Sequence, residues 1–158
     1  MDHYTINLYQ LLLQTYRTAV KAESQALKCV KDGDISVNEL HLLEVVGRDM
    51  QTGRTVGDVA RELDVTMPSA TIAINKLFRK GYVEKKRCEK DNRIVYVRLT
   101  RMGKKMNSAH RRFNGQMARG IVKGFTEKEK EVLVRAFRNL SLFLDGKSAE
   151  YEKYVQNN

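Results

Sequence analysis

Between Thr55 and Leu99 the chain joins two short, separately capped helices to two β-branched runs, and this order constrains the fold more than any other feature. Thr55 and Asp58 stand in capping-box spacing ahead of Val59, Ala60 and Leu63, which predicts a short helix. Thr66 caps the next helix, whose early Pro68 sits where no intrahelical donor is needed, and Gly81 ends it. YVEKKRC and RIVYVRL then flank the polar loop Glu89 to Asn92, as a β-hairpin requires. Val95, Val97 and Leu99 fall on one face of the second strand.

Longer helices flank this centre. Residues 4–30 carry Tyr9, Leu12, Tyr16 and Val20 at steps of three and four, with Gly33 beyond them, so an amphipathic helix is expected whose stripe needs a partner. Ser36 and Glu39 form a second capping-box pattern ahead of Leu40, Leu43 and Val46, predicting a helix over about 37–49, then a turn over Asp49 to Arg54. Thr100 opens a long helix with Met106, Ala109, Phe113, Met117 and Ile121 on one stripe. Thr126 and Glu129 cap the last, striped by Leu133, Phe137, Leu140 and Leu144; beyond Gly146 the chain is polar and reads as a fraying tail.

Charge is divided unevenly. Residues 51–120 hold 17 Lys and Arg against 6 Asp and Glu, whereas residues 1–50 are net −2 and 121–158 net +1. A chain of 158 residues at +10 overall therefore concentrates its excess where the two short helices and the hairpin lie, as a polyanion-binding module would. Helix, turn, helix and basic hairpin in that order are the parts of a winged helix-turn-helix, whose second helix enters the major groove. On that helix Ala70, Ala73, Ile74 and Leu77 form the inward stripe, leaving Ser69, Thr71, Ile72, Asn75 and Lys76 outward. Hydroxyls suit phosphates or base edges, Asn75 can engage adenine in bidentate fashion, and Ile72 can touch a thymine methyl. Lys85, Lys86, Arg87, Lys90 and Arg93 crowd a hairpin too small to need them for folding, and Arg93 fits a narrow minor groove. The competing structural reason for such cations is protection of an edge strand.

Other classes are poorly served. The longest apolar run, Ile94 to Val97, is far short of the roughly 18 residues of a bilayer span. The start of the chain has no secretory pattern, so a cytoplasmic protein is expected. Cys29 and Cys88 suit neither a disulfide framework nor a four-ligand zinc site. His3, His41 and His110 have no metal-ligand spacing, and no phosphate loop or nucleophile elbow occurs, so no metal, no cofactor and no enzymatic activity are expected. Two rivals remain: a redox-sensing regulator, because cations beside Cys88 favour its thiolate, and an architectural protein that coats DNA without sequence preference.

The stretch LDVTMPSATIAINKLFRKGYVEKKRCEKDNRIVYVRLTRMGKK resembles the winged helix of the multiple antibiotic resistance regulator (MarR) family, marked by Asp91, Arg93, Leu99, Thr100 and Gly103 in the spacing D-x-R, L-T, x-x-G. In helix order the likeness extends over about residues 5–145. It implies a mainly α fold with a small β-hairpin, built as one compact domain: a dimerisation helix over 1–34, the winged helix-turn-helix over 35–100, dimerisation helices over 101–145 and a polar tail over 146–158. It also implies a homodimer on a pseudo-palindromic double-stranded operator. The DNA contacts it suggests are Thr66, Pro68, Ser69, Thr71, Ile72, Asn75 and Lys76 on the second helix, and Arg87, Lys90, Asp91, Asn92 and Arg93 on the wing, with Asp91 holding Arg93. Family members often carry another Arg beside that pair, where this chain has Asn92 and Ile94.

DISVNELHLLEVVG and AHRRFNGQMA are similar to the branch that represses fatty-acid synthesis genes in Gram-positive bacteria. That resemblance implies a long acyl chain on acyl carrier protein as corepressor, with basic Arg111 and Arg112 beside His110 meeting the acidic carrier. An effector cavity is expected among helices 1, 2 and 5, lined by Leu12, Tyr16, His41, Leu42, Val45, Met106, His110, Phe113 and Met117, although each alone suits an ordinary core or interface position. The alternative is a MarR-type repressor released by a small aromatic or lipophilic ligand or by cysteine oxidation.

Overall fold

The computed structural model describes residues 2–28, 35–88, 91 and 94–156. The elements run α1 (His3–Lys28), α2 (Val37–Val46), β1 (Arg54–Thr55), α3 (Val56–Glu62), α4 (Met67–Arg79), β2 (Val83–Arg87), β3 (Val95–Leu99), α5 (Arg101–Ile121) and α6 (Glu127–Gln156). The chain forms two compact units, Met1–Arg112 and Phe113–Asn158. Among the described residues no helix is long and apolar enough to cross a membrane.

Helix starts follow from the local side-chain chemistry. The Ser36 hydroxyl accepts from the Glu39 amide at 3.3 Å while the Glu39 carboxylate accepts from the Ser36 amide at 2.7 Å, so two donors that the helix leaves unpaired are satisfied reciprocally. Thr55 with Asp58 and Thr126 with Glu129 repeat this arrangement. Thr66 caps α4, with Pro68 in its first turn. The tight connection from α3 to α4 turns on Asp64 at φ 51°, a left-handed conformation that aspartate tolerates better than most residues. Gly81, at φ 75°, turns the chain from α4 into β2 without steric cost.

β2 and β3 pair antiparallel with Val83 opposite Leu99, Lys85 opposite Val97 and Arg87 opposite Val95. A short strand that the sequence pattern does not announce, β1, lies on the other edge of β3, giving the order β1-β3-β2. Its existence follows from the cap of α3: Thr55 is extended, at φ −73° and ψ 158°, so the residue that starts the helix also pairs across from Tyr96.

The first unit closes over one hydrophobic core. Leu43 and Val46 of α2, Val59 of α3, Ile74 and Leu77 of α4, Val83 of β2 and Val97 of β3 are essentially inaccessible. Leu42 and Val45 are buried as well, so α2 is enclosed on more sides than the stripe through Leu40, Leu43 and Val46 implies. The helix stops at Val46, short of 49: Gly47 is its C-cap, with its amide bonded to the Leu43 carbonyl, and beyond it Asp49 accepts from the Gln51 and Thr52 amides. α5 enters this unit through Gly103, Met106, Asn107 and His110, whereas Ala109 is exposed. The docked face includes two polar residues, which an apolar stripe passes over.

Along α1, Tyr9, Leu12, Tyr16 and Val20 are exposed, and the half-buried positions among residues 3–25 are Ala19, Ala22, Glu23 and Ser24. In the second unit, Met117, Ile121, Phe137 and Leu144 are exposed, while Phe113, Leu133 and Leu140 are half-buried. α6 continues past Gly146 to Gln156, beyond the end of its apolar periodicity. One glycine costs a helix only about 1 kcal/mol, no proline interrupts, and Lys147 pairs with Glu150 one turn on.

Candidate nucleic-acid interface

α4 divides cleanly by exposure. Ala70, Ile74 and Leu77 face the core, while Thr66, Pro68, Ser69, Thr71, Ile72 and Lys76 are exposed and Asn75 is half-buried. Ile72 is 68% exposed, a protruding apolar tip in a polar surface. The hydroxyls are locally engaged: Thr71 donates to the Met67 carbonyl at 2.8 Å, and Ser69 shares a hydrogen bond with Thr66 at 2.9 Å. Each retains acceptor capacity for a ligand donor.

Two contacts fix this helix against its neighbours. From α2, Glu39 receives Lys80 at 3.0 Å on one carboxylate oxygen and Lys76 at 3.2 Å on the other. Burial opposes the charge on Glu39, but the Ser36 amide and the two ammonium groups outweigh it and hold its carboxyl below the usual range. From β2, the Lys85 ammonium donates to the Asn75 side-chain oxygen and lies 5.5 Å from the centre of the Phe78 ring. The first strand of the hairpin is thereby tied to the outward face of α4.

The hairpin projects its cations outward. Lys85, Lys86 and Arg87 are exposed on β2. Beyond the strands the Cys88 amide donates to the Ile94 carbonyl and the Ile94 amide to the Asp91 carbonyl, so pairing extends toward the tip. Asp91 is exposed there; Lys90, Asn92 and Arg93 lie outside the described residues. Cys88 is a half-buried free thiol, and Cys29 lies outside the described residues.

The residues expected to line an effector cavity fall in different parts of the chain. Leu42, Val45 and Met106 belong to the core of the first unit, Leu12 and Tyr16 are exposed on α1, and Phe113 and Met117 belong to the second unit. His41 and His110 meet instead around one acid that the sequence pattern does not single out. Glu23 Oε1 lies 2.9 Å from His110 Nε2 and 3.5 Å from His41 Nε2, and Glu44 Oε2 lies 3.3 Å from His110 Nδ1. Arg111 and Arg112 are exposed, and Arg111 lines a polar pocket with Glu44, Gly47 and Arg48. Glu39 is visible in the sequence as a cap, yet its reach to α4, like the link from Lys85 to Asn75, appears only when the elements are packed.

Comparison with known proteins agrees with this architecture. FabT of Streptococcus pneumoniae, solved in complex with DNA, is 34% identical with a TM-score of 0.78, and the match covers 91% of this chain and 98% of that one. MepR of S. aureus, also solved with DNA, shares the fold at 23% identity and a TM-score of 0.65, over 86% of this chain and 97% of its own. YhjH of Bacillus subtilis, an uncharacterized HTH-type transcriptional regulator, is 24% identical over 154 residues, 88% of this chain and 87% of its own. Residues 26–109 match the transcriptional regulator SarA/Rot family. With that match, and with two capped helices and a basic wing in place, the chain belongs to the SarA/Rot family of transcriptional regulators and carries a winged helix-turn-helix of MarR type.

Proposed function

We propose that the protein is a homodimeric repressor that reads double-stranded DNA by inserting α4 into the major groove while the hairpin follows the adjacent backbone. The observation that carries this reading is the joined surface of α4 and β2: Ser69, Thr71, Ile72 and Asn75 lie outward, and Lys85 connects Asn75 to the exposed cations of the wing. Base-reading groups beside phosphate-neutralising groups are what sequence-specific binding requires. Lys90, Asn92 and Arg93 extend the wing contact by the family resemblance. Dimerisation through α1, α5 and α6 is supported by the apolar side chains that a single chain leaves exposed on those helices. A twofold dimer places its two α4 helices in successive major grooves, roughly 34–36 Å apart, on a pseudo-palindrome in the cytoplasm.

The regulated genes are those of fatty-acid synthesis, and a long acyl chain on acyl carrier protein is the corepressor. The likeness to FabT over nearly the whole chain and the similarity of residues 34–47 and 109–118 to that branch support this assignment. The exposed Arg111 and Arg112 offer positive charge to an acidic carrier, and the acyl chain acts by favouring dimers whose helix spacing matches the operator. A gel-shift titration on the fatty-acid promoters of the source organism, with acylated and bare carrier, tests both levels. Tighter promoter binding with acylated carrier alone is expected. Equal affinity for promoter and random duplex would refute operator recognition, and promoter binding indifferent to acylation would refute the corepressor. Asn75→Ala should cost about 1–3 kcal/mol on the operator and relax base choice at one position; equal loss on random DNA would remove Asn75 from base reading.

A further inference from the structure

Three helices of the first unit bring Glu23, His41 and His110 to one point, with the carboxylate of Glu23 shared by the two imidazoles. The three potential ligand atoms all lie within 4.8 Å of one another. From this we infer that Glu23, His41 and His110 form a binding site for a divalent late first-row transition metal of the zinc class, which fastens α1 to α2 and α5.

Geometry supports the ligand set. Ligand atoms about 2.0–2.2 Å from a tetrahedral zinc stand about 3.3–3.5 Å apart. The two separations from Glu23 are 2.9 and 3.5 Å, either side of that edge, and the third, between the two histidines, is no more than 4.8 Å. Two imidazoles and one carboxylate leave a fourth position for water, the pattern of an open zinc site. Nitrogen ligands select against magnesium and calcium, which take oxygen sets.

The surroundings of His110 supply an independent indication. Its side chain is only 2% exposed, Nε2 faces Glu23, and Nδ1 lies 3.3 Å from Glu44 Oε2. A metal-bound histidine commonly gives its other ring N–H to a carboxylate, which fixes the tautomer and raises ligand basicity. Glu44 lies within ion-pair distance of that nitrogen, although no hydrogen bond joins the two side chains. Glu23 is among the half-buried positions of α1, so the ion would fasten that helix where it already touches the unit.

The inference does not depend on operator reading and is tested without DNA. Full-length protein stripped with chelator is titrated with Zn²⁺ against a chromophoric competitor, and with Co²⁺ while visible absorption is recorded. One ion per chain, tetrahedral cobalt bands and no displacement by excess Mg²⁺ are expected. Glu44→Gln should weaken zinc about 10–100-fold, and Glu23→Gln and His41→Ala by at least as much. These three side chains leave the apolar core untouched, so circular dichroism and thermal melting should report folded protein. His3→Ala and Cys88→Ser should keep wild-type affinity. No binding, affinity unchanged in Glu23→Gln and His41→Ala, or affinity lost instead in His3→Ala or Cys88→Ser would overturn the assignment.

Discussion

Gly103→Ala should destabilise the protein even though alanine is the better helix former. Gly103 lies in the first turn of α5, where a Cβ would stand 2.0 Å from the carbonyl oxygen of Tyr82 and 3.4 Å from a methyl of Leu99. Ordinary carbon–oxygen approaches are about 3.3 Å, so the strand or the helix must yield by about 1.3 Å. The obstructing atom is backbone of a residue only 2% exposed, and it accepts from both the amide and the hydroxyl of Thr100, each at 3.1 Å. Overpacking of this kind costs about 1–3 kcal/mol and each strained hydrogen bond about 0.5–1.5, against about 1 kcal/mol gained from helix propensity. A net loss of about 1–5 kcal/mol follows, or roughly 2–20 °C in Tm for a chain of this size. Gly57→Ala in α3 is the comparison, because its Cβ would meet only a methionine sulfur at 3.7 Å and a hydroxyl at 3.8 Å. It should gain up to about 1 kcal/mol. Urea and thermal unfolding followed by circular dichroism, at one fixed protein concentration, measure both. A Gly103→Ala variant as stable as wild type would refute the close-approach argument, and a parallel loss in Gly57→Ala would show that something other than space decides.

Acid should weaken the tie between α2 and α4. Because the folded Glu39 carboxyl is held below its usual value of about 4.5, its contribution is present above that pH and is lost as pH falls through the depressed folded value. Glu39→Gln should therefore be less stable near neutrality and show a shallower fall in urea midpoint below about pH 4.5; identical acid slopes would show that Glu39 is not the titrating group. On DNA, Arg87→Ala should reduce the salt dependence of operator affinity by roughly one unit of slope. Lys76→Ala should reduce it less, because Glu39 already answers that charge at 3.2 Å. A larger change for Lys76 than for Arg87 would mean that the pair opens on DNA. Ile74→Ala, at a position with no accessible surface, should cost about 2–5 kcal/mol in unfolding experiments, and a cost under 1 kcal/mol would mean that the α4 core collapses around the gap.

Features decided within a few residues are legible in the sequence. The capping pairs at Ser36, Thr55 and Thr126 need only a hydroxyl and a carboxylate three positions apart, and they form as their spacing implies. The hairpin is equally readable, since alternation and β-branching fix which face of β3 meets the core. Features decided by neighbours are not. Nothing local distinguishes Leu42 and Val45, which are buried because α2 is enclosed on several sides, from side chains on an effector-facing surface. A two-residue strand such as β1 carries too little pattern to be seen. Glu23, His41 and His110 lie on three separate helices and share no spacing rule, so only packing brings them together.

The surface of α4 owes its definition to groups with other obligations. Glu39 is first a helix cap, committed to the Ser36 amide, and for that reason it is a rigid acceptor to which Lys76 and Lys80 attach. Lys85 is first a strand residue whose ammonium rests near Phe78, and from there it restrains Asn75. Anchored from α2 on one side and from β2 on the other, α4 presents its outward residues with less side-chain freedom to lose on binding, which favours specificity over loose attraction to phosphate. If Asn75 reads a base as proposed, Lys85→Ala should lower discrimination between operator and random duplex by more than removal of one phosphate contact does, because it releases that side chain as well as a charge. An equal reduction of both affinities, with the specificity ratio intact, would show that Lys85 serves DNA binding only through its charge.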